Sequence, residues 1–172
     1  MIQLFNYIYS RIKEINFEEN ELCKQYWLKI ERLNANFSDQ AAIELLFDNI
    51  EWLINSEVLN SLTIKKLGNT LLMKEAGIYF EGHVKIHNGQ AILFNCTKAT
   101  VTGHSRIRAF DHSQVEADDS TFVSAYHNSK VDAKNCKIQA FHQAQVKSRG
   151  FCLIEDYTEG GKIVAGAKDL VY

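Results

Sequence analysis

The sequence predicts an α+β protein: a small N-terminal helical bundle followed by a C-terminal parallel β-solenoid with two short strands per coil of 15–16 residues. Three observations carry this. Apolar residues recur at three- and four-residue steps through the first half. A fragment beginning with Val or Ile recurs about every eight residues through the second. None of the 172 residues is proline, where average usage gives about eight or nine. The boundaries follow as a helical bundle or N-terminal cap at 1–77, solenoid repeats at 78–156 and a capping tail at 157–172.

Leu4, Phe5, Ile8, Ile12 and Ile15 share one face of a first helix. Asn16 and Glu19 have capping-box spacing, and a second helix carries Leu22, Tyr26, Ile30 and Leu33. Ser38 before Asp39 marks the start of a third, with Ala42, Leu46, Ile50, Leu53 and Ile54 facing inward. A shorter helix over 62–75 stops at Gly77, a residue suited to the left-handed cap position. Trp27 and Trp52 read as packing residues.

From Ile107 the chain divides into IRAFDHSQ, VEADDSTF, VSAYHNSK, VDAKNCK, IQAFHQAQ and VKSRGFCL. Val or Ile, with a small residue two positions on, falls on one face of a strand. Fragments with an aromatic after Ala (Phe110, Tyr126, Phe141) alternate with fragments carrying Asp118, Lys134 or Arg149 there. The repeat is therefore two fragments long, and each coil adds about 4.8 Å by parallel stacking. Weaker copies are read at Val84/Ile86, Ile92/Phe94 and Val101/Gly103. Proline would delete a coil-to-coil hydrogen bond, which accounts for its absence from this half. The open solenoid ends call for covers, and the helical half and the tail GGKIVAGAKDLVY are the expected ones.

IRAFDHSQ, VEADDST and VSAYHNSK resemble the V-x-A-x-x-x-S repeats of β-solenoid segments in phage and mobile-element proteins, which often read VKAYGNS or VEAYDNS. The resemblance covers 101–148 well, 84–100 loosely and 1–76 not at all. It implies architecture and a phage or mobile-element setting, and no particular activity.

Composition excludes several functions. Lys and Arg total 19 and Asp and Glu 21, a net charge of −2, so no global field draws nucleic acid or membrane. Residues 1–80 carry −3 and residues 81–172 carry +1, which argues against a strong nucleic-acid grip. No run approaches about 18 apolar residues, and the N-terminus lacks the charge order of a signal peptide. The expected location is the cytoplasm of a bacterial host. Cys23, Cys96, Cys136 and Cys152 form no CxxC pair and read as small buried side chains, although Cys136 and Cys152 fall one coil apart.

Stacking turns the repeats into columns. Phe110, Tyr126 and Phe141 form either an aromatic ladder stabilising the coil edge or an exposed strip for a partner. Asp111, His127 and His142, flanked by His112, read as a hydrated polar ladder in preference to a metal or acid–base site. His104, Asp118, Lys134 and Arg149 read as a solvated charged column. Arg106, Arg108, Lys130 and Lys137, with the aromatics, are the groups expected to meet phosphate or stacked bases if nucleic acid is contacted. The binding candidates are therefore Arg106, Arg108, Phe110, His112, Tyr126, His127, Lys130, Phe141 and His142. No catalytic residue, metal or cofactor is called.

The function expected is non-enzymatic binding of a host protein or ribonucleoprotein complex, with inhibition of a defence complex such as a CRISPR nuclease as one form. Direct nucleic-acid contact is a weaker expectation, membrane contact is not expected, and a homodimer through the helical half is considered. Two alternatives stand beside it: a self-assembling structural module, and an acyltransferase like those built on six-residue left-handed β-helix repeats.

Overall fold

A computed structural model describes residues 1–15 and 24–172. The chain divides into two compact units, Met1–Met73 and Lys74–Tyr172. The expected capping box at Asn16 and Glu19, Leu22 of the second helix, and Cys23 lie outside the described residues.

The first unit is helical: α1 (Ile2–Lys13), α2 (Lys24–Ala35), α3 (Asp39–Asn55), α4 (Ser61–Leu67) and the start of α5 (Thr70–Glu75). α1 buries Leu4, Phe5, Ile8 and Ile12, as its periodicity requires. Ser38 caps α3, its hydroxyl accepting the Ala41 N–H at 3.1 Å. Trp27 stacks on Tyr9 at 5.7 Å between ring centroids, and Trp52 meets Tyr26 edge-on at 6.1 Å. The single helix expected over 62–75 is two, because α4 ends at Gly68, whose backbone is extended, and α5 restarts with the Asn69 side chain accepting the Leu71 and Leu72 N–H groups. Gly77 follows α5 with φ +91°, the left-handed geometry its position calls for.

The second unit is a parallel β-solenoid. One sheet, here sheet A, stacks β1 (Ile78–Tyr79), β3 (Gln90–Leu93), β5 (Arg106–Ala109), β7 (Phe122–Ala125), β9 (Lys137–His142), β11 (Leu153–Thr158) and β13 (Leu170–Val171). The other, sheet B, stacks β2 (His83–His87), β4 (Lys98–Thr102), β6 (Gln114–Ala117), β8 (Lys130–Lys134), β10 (Gln145–Arg149) and β12 (Lys162–Val164). Between the sheets lies a narrow apolar core. Ile107, Val123 and Ile138 stack in one column and Ala109, Ala125 and Ala140 in the next, all fully buried. Large and small residues alternate because the two sheets approach too closely for two large columns.

Stacking changes two details of the sequence reading and locates a third. The upstream repeats are shifted: by one residue in β3, where Ala91 and Leu93 face the core in place of Ile92 and Phe94, and by two in β4, where the inward pair is Ala99 and Val101 in place of Val101 and Gly103. A one-residue slip exchanges the two faces of a strand, and here the small residue precedes the large one. The short VDAKNCK fragment loses its residue from the corner after β8, not from a strand, so Val131 and Val146 still pair. The tail does not leave the register at Asp156. β12 and β13 pair with β10 and β11 as one more coil, Val146 opposite Ile163 and Leu153 opposite Leu170.

Candidate macromolecule-binding face

The corners set which side chains reach solvent. Each coil turns through a non-glycine residue in left-handed conformation: Asn95, Asp111, His127 and His142, at φ between +54° and +59°, follow the sheet A strands. Asn and Asp tolerate this region through local hydrogen bonds. Here the bond runs between coils. Asp111 Oδ2 accepts the Asn95 N–H at 3.0 Å, His127 Nδ1 the Asp111 N–H at 3.3 Å, and His142 Nδ1 the His127 N–H at 3.3 Å. The imidazoles stack at 5.3 Å, and His127 Nδ1 also lies 3.4 Å from Asp111 Oδ1. The column is thus a backbone-satisfying ladder. Among the described residues no group of three or more His, Cys, Asp or Glu is placed to hold a metal.

At the opposite corners Asn88 and Asn135 turn the chain and pass their Oδ1 atoms to the next coil, accepting the His104 and Phe151 N–H groups at 2.9 and 3.1 Å. A Cβ on the residue beneath would strike that oxygen, so Gly103 and Gly150 follow one coil later. The motif's final small residue closes each corner from inside. Thr97, Ser113, Ser129 and Ala144 are fully buried on one side, and Thr121, Cys136 and Cys152 are buried on the other. Cys136 and Cys152 are free thiols, the Cys136 N–H facing Cys152 Sγ at 3.5 Å. Burial raises the Cys136 thiol to about 12, far from thiolate reactivity.

The acceptor role makes His142 pH-sensitive. Burial, and then the neighbouring His127, lower its proton affinity; Glu159 opposes them. A histidine with a depressed folded-state value binds its proton more readily when unfolded, so stability falls as pH drops from about 6.5. Urea midpoints measured at pH 7.5, 6.5 and 5.5 are expected to decline. His142→Asn, which retains a left-handed residue with an oxygen acceptor, is expected to flatten that decline. An unchanged slope would remove His142 as its source.

The candidate binding residues do not form one site. Phe110 is fully buried and Tyr126 is 3% exposed, inside a six-ring stack that runs Phe80, Phe94, Phe110, Tyr126, Phe141, Tyr157 with centroid spacings of 4.7–5.3 Å. The aromatic column is the coil-edge ladder, and only its Tyr157 end is well exposed, at 55%. Phe141 is half-buried. Arg108 is buried in register with Ile92 and Ser124. Arg106 is exposed on sheet A beside the Phe122 ring. His112 is exposed at a corner, while His127 and His142 are half-buried. Lys130 stands apart from all of these, on sheet B.

Around Lys130 lies the exposed polar face of the solenoid. Its first column is His83, Lys98, Gln114, Lys130, Gln145 and Lys162, aligned one per coil and all exposed. Lysine recurs every second coil, at intervals of 32 residues. That spacing is legible in the sequence once the two-fragment repeat is known. The second column is Lys85, Thr100, Glu116, Asp132, Lys147 and Val164. Lys134 and Arg149 follow in register beyond it. Two shallow depressions open on the face, one of about 310 Å³ lined by Gln114, Lys130, Gln145, Lys147 and Lys162, the other of about 390 Å³ over Thr100, Glu116 and Lys134. Lys134 pairs with Asp118 and Arg149 with Asp132, both at 3.5 Å. His104, expected in this charged column, instead sits at the Asn88 corner.

These features define a class: a helical unit joined to a two-stranded parallel β-solenoid whose sheet B presents a polar outer surface. Comparison with family models, curated proteins and solved structures returns no match for this chain. No helix among the described residues is long and apolar enough to cross a membrane.

Proposed function

We propose that the protein is a non-enzymatic macromolecule-binding factor that docks through the outer face of sheet B. The observation that carries this reading is the face itself: six strands in register, held by stacked coils and side-chain-locked corners, with every first-column residue exposed. The backbone of such a surface has little conformational entropy to lose on binding. The repeat's resemblance to phage and mobile-element solenoids supports a host protein or ribonucleoprotein complex as partner, with inhibition of a defence complex such as a CRISPR nuclease as its action. The test compares the parent chain with Lys98→Gln/Lys130→Gln/Lys162→Gln in affinity purification from bacterial lysate, with and without nuclease. A complex captured by the parent and lost by the variant is expected. Identical captures would overturn sheet B as the docking face.

A second reading, self-assembly, is favoured by the last coil. Tyr157, Val164, Leu170, Val171 and Tyr172 are exposed, and β12 and β13 are edge strands. A molar mass that rises with concentration in light scattering, and falls back to the monomer with Leu170→Lys/Val171→Lys, is its expected signature.

A further inference from the structure

The charge on the sheet B face is distributed far less evenly than the net charge of the second half suggests. Lys134 and Arg149 are matched by Asp118 and Asp132. Among the described residues Lys85, Lys98, Lys130, Lys147 and Lys162 form no ion pair. Against these five the two columns hold one further carboxylate, Glu116. The surplus is concentrated on one face and compensated elsewhere on the unit, so a near-neutral total conceals a cationic surface.

The residue types narrow the partner. Protein–protein contact surfaces are poor in lysine and depend on buried aromatic and arginine anchors. The unpaired cations here are all lysine, and neither column contains Phe, Tyr or Trp; the one ring is the His83 imidazole, in the first strand. A single imidazole in the first strand gives no row of platforms on which successive unstacked bases could lie, which disfavours a single strand. Exposed lysines beside glutamine amides match the groups that contact phosphate oxygens. The lattice also has a suitable reach. From β2 to β12 is five coil steps, about 24 Å, comparable to roughly seven base pairs at about 3.4 Å each. The first-column lysines stand about 9.6 Å apart along that axis.

We infer that the outer face of sheet B binds the sugar–phosphate backbone of duplex nucleic acid without reading its sequence, through Lys85, Lys98, Lys130, Lys147 and Lys162. This deepens the docking proposal and rests on it: the macromolecule engaged, or part of it, is a duplex.

The probe is a fluorescein-labelled 20-base-pair DNA duplex, followed by anisotropy at 50, 100 and 200 mM salt. Binding at 50 mM is expected in the micromolar range. The slope of log affinity against log salt should be about −4, as each neutralised phosphate contributes about −0.9. Lys98→Gln/Lys130→Gln/Lys162→Gln is expected to lose at least about tenfold in affinity and to flatten the slope by about 3. Lys13→Gln/Lys66→Gln/Lys74→Gln has the same net charge but contains no sheet B residue, and is expected to behave as the parent. Circular dichroism establishes that both variants are folded. The inference is overturned if the parent does not bind duplex at 50 mM salt, or if both variants weaken equally. It is also overturned if oligo-dT binds more tightly than duplex, or if poly-glutamate displaces duplex at equal charge, which would make the partner an acidic protein. If duplex binding fails while the lysate capture still depends on the three lysines, only this inference falls and the docking face stands.

Discussion

Phe110→Ala is expected to destabilise the solenoid by about 3–5 kcal/mol, the range for removing a fully buried aromatic ring. Phe110 is inaccessible to solvent and lies between Phe94 at 5.3 Å and Tyr126 at 4.8 Å. The substitution therefore opens a cavity and also breaks two stacking contacts, each worth about 0.5–1.5 kcal/mol beyond area burial. Stacked coils depend on their nearest neighbours, so the break falls in the middle of the array where it is least easily tolerated. Tyr157→Ala, at the exposed end of the same stack, provides the comparison and is expected to cost clearly less. Denaturant unfolding of the two variants beside the parent makes the measurement. Equal losses at the two positions would show that the ladder contributes only surface packing.

The second large effect is expected from Ala125→Asp. Ala125 is fully buried and stacks in register between Ala109 and Ala140. An aspartate there adds volume to a column that has none to spare, and places a carboxylate where no cation can reach it. Burial of an unpaired charge costs several kcal/mol even after relaxation, a large part of the roughly 5–15 kcal/mol that stabilises a typical domain. Loss of the β-sheet circular dichroism signal and rapid proteolysis of the second unit are expected. Ala125→Ser, with a single small hydroxyl at a column position where Ser148 occurs naturally in sheet B, is expected to remain folded. A folded Ala125→Asp variant with parent-like protease resistance would mean that the core is wetter and looser than its packing indicates.

The proposed face and the two core substitutions depend on different properties. The lysines can be neutralised without disturbing the stacking, because their side chains are exposed and make no ion pair among the described residues. The aromatic and alanine columns cannot be altered without disturbing it. A variant that loses binding yet unfolds like the parent therefore isolates the face.

Residue periodicity alone determined the two-part architecture, the two strands per coil and the inward placement of Val, Ile and Ala between 107 and 148. These depend on a repeat that local side-chain alternation makes visible. Ser38 and Gly77 were equally legible, since capping chemistry is local to a few residues. The upstream register was not. Ile92/Phe94 and Ala91/Leu93 both satisfy a two-residue period, and only pairing with β5 selects the second. The status of the aromatic column also required the tertiary structure, because a strand pattern places Phe110 off the core face without revealing whether that side is covered. The left-handed corners carried a faint signal in the Asn88–Gly103 and Asn135–Gly150 pairs, interpretable only once one coil lies on the next. The candidate binding face is the least legible feature for the same reason. Nine residues stand out by type along the repeat, and stacking disperses them over two sheets and the corners. Lys98, Lys130 and Lys162, 32 residues apart in sequence, become neighbours only through the backbone hydrogen bonds between coils, which carry no sequence label.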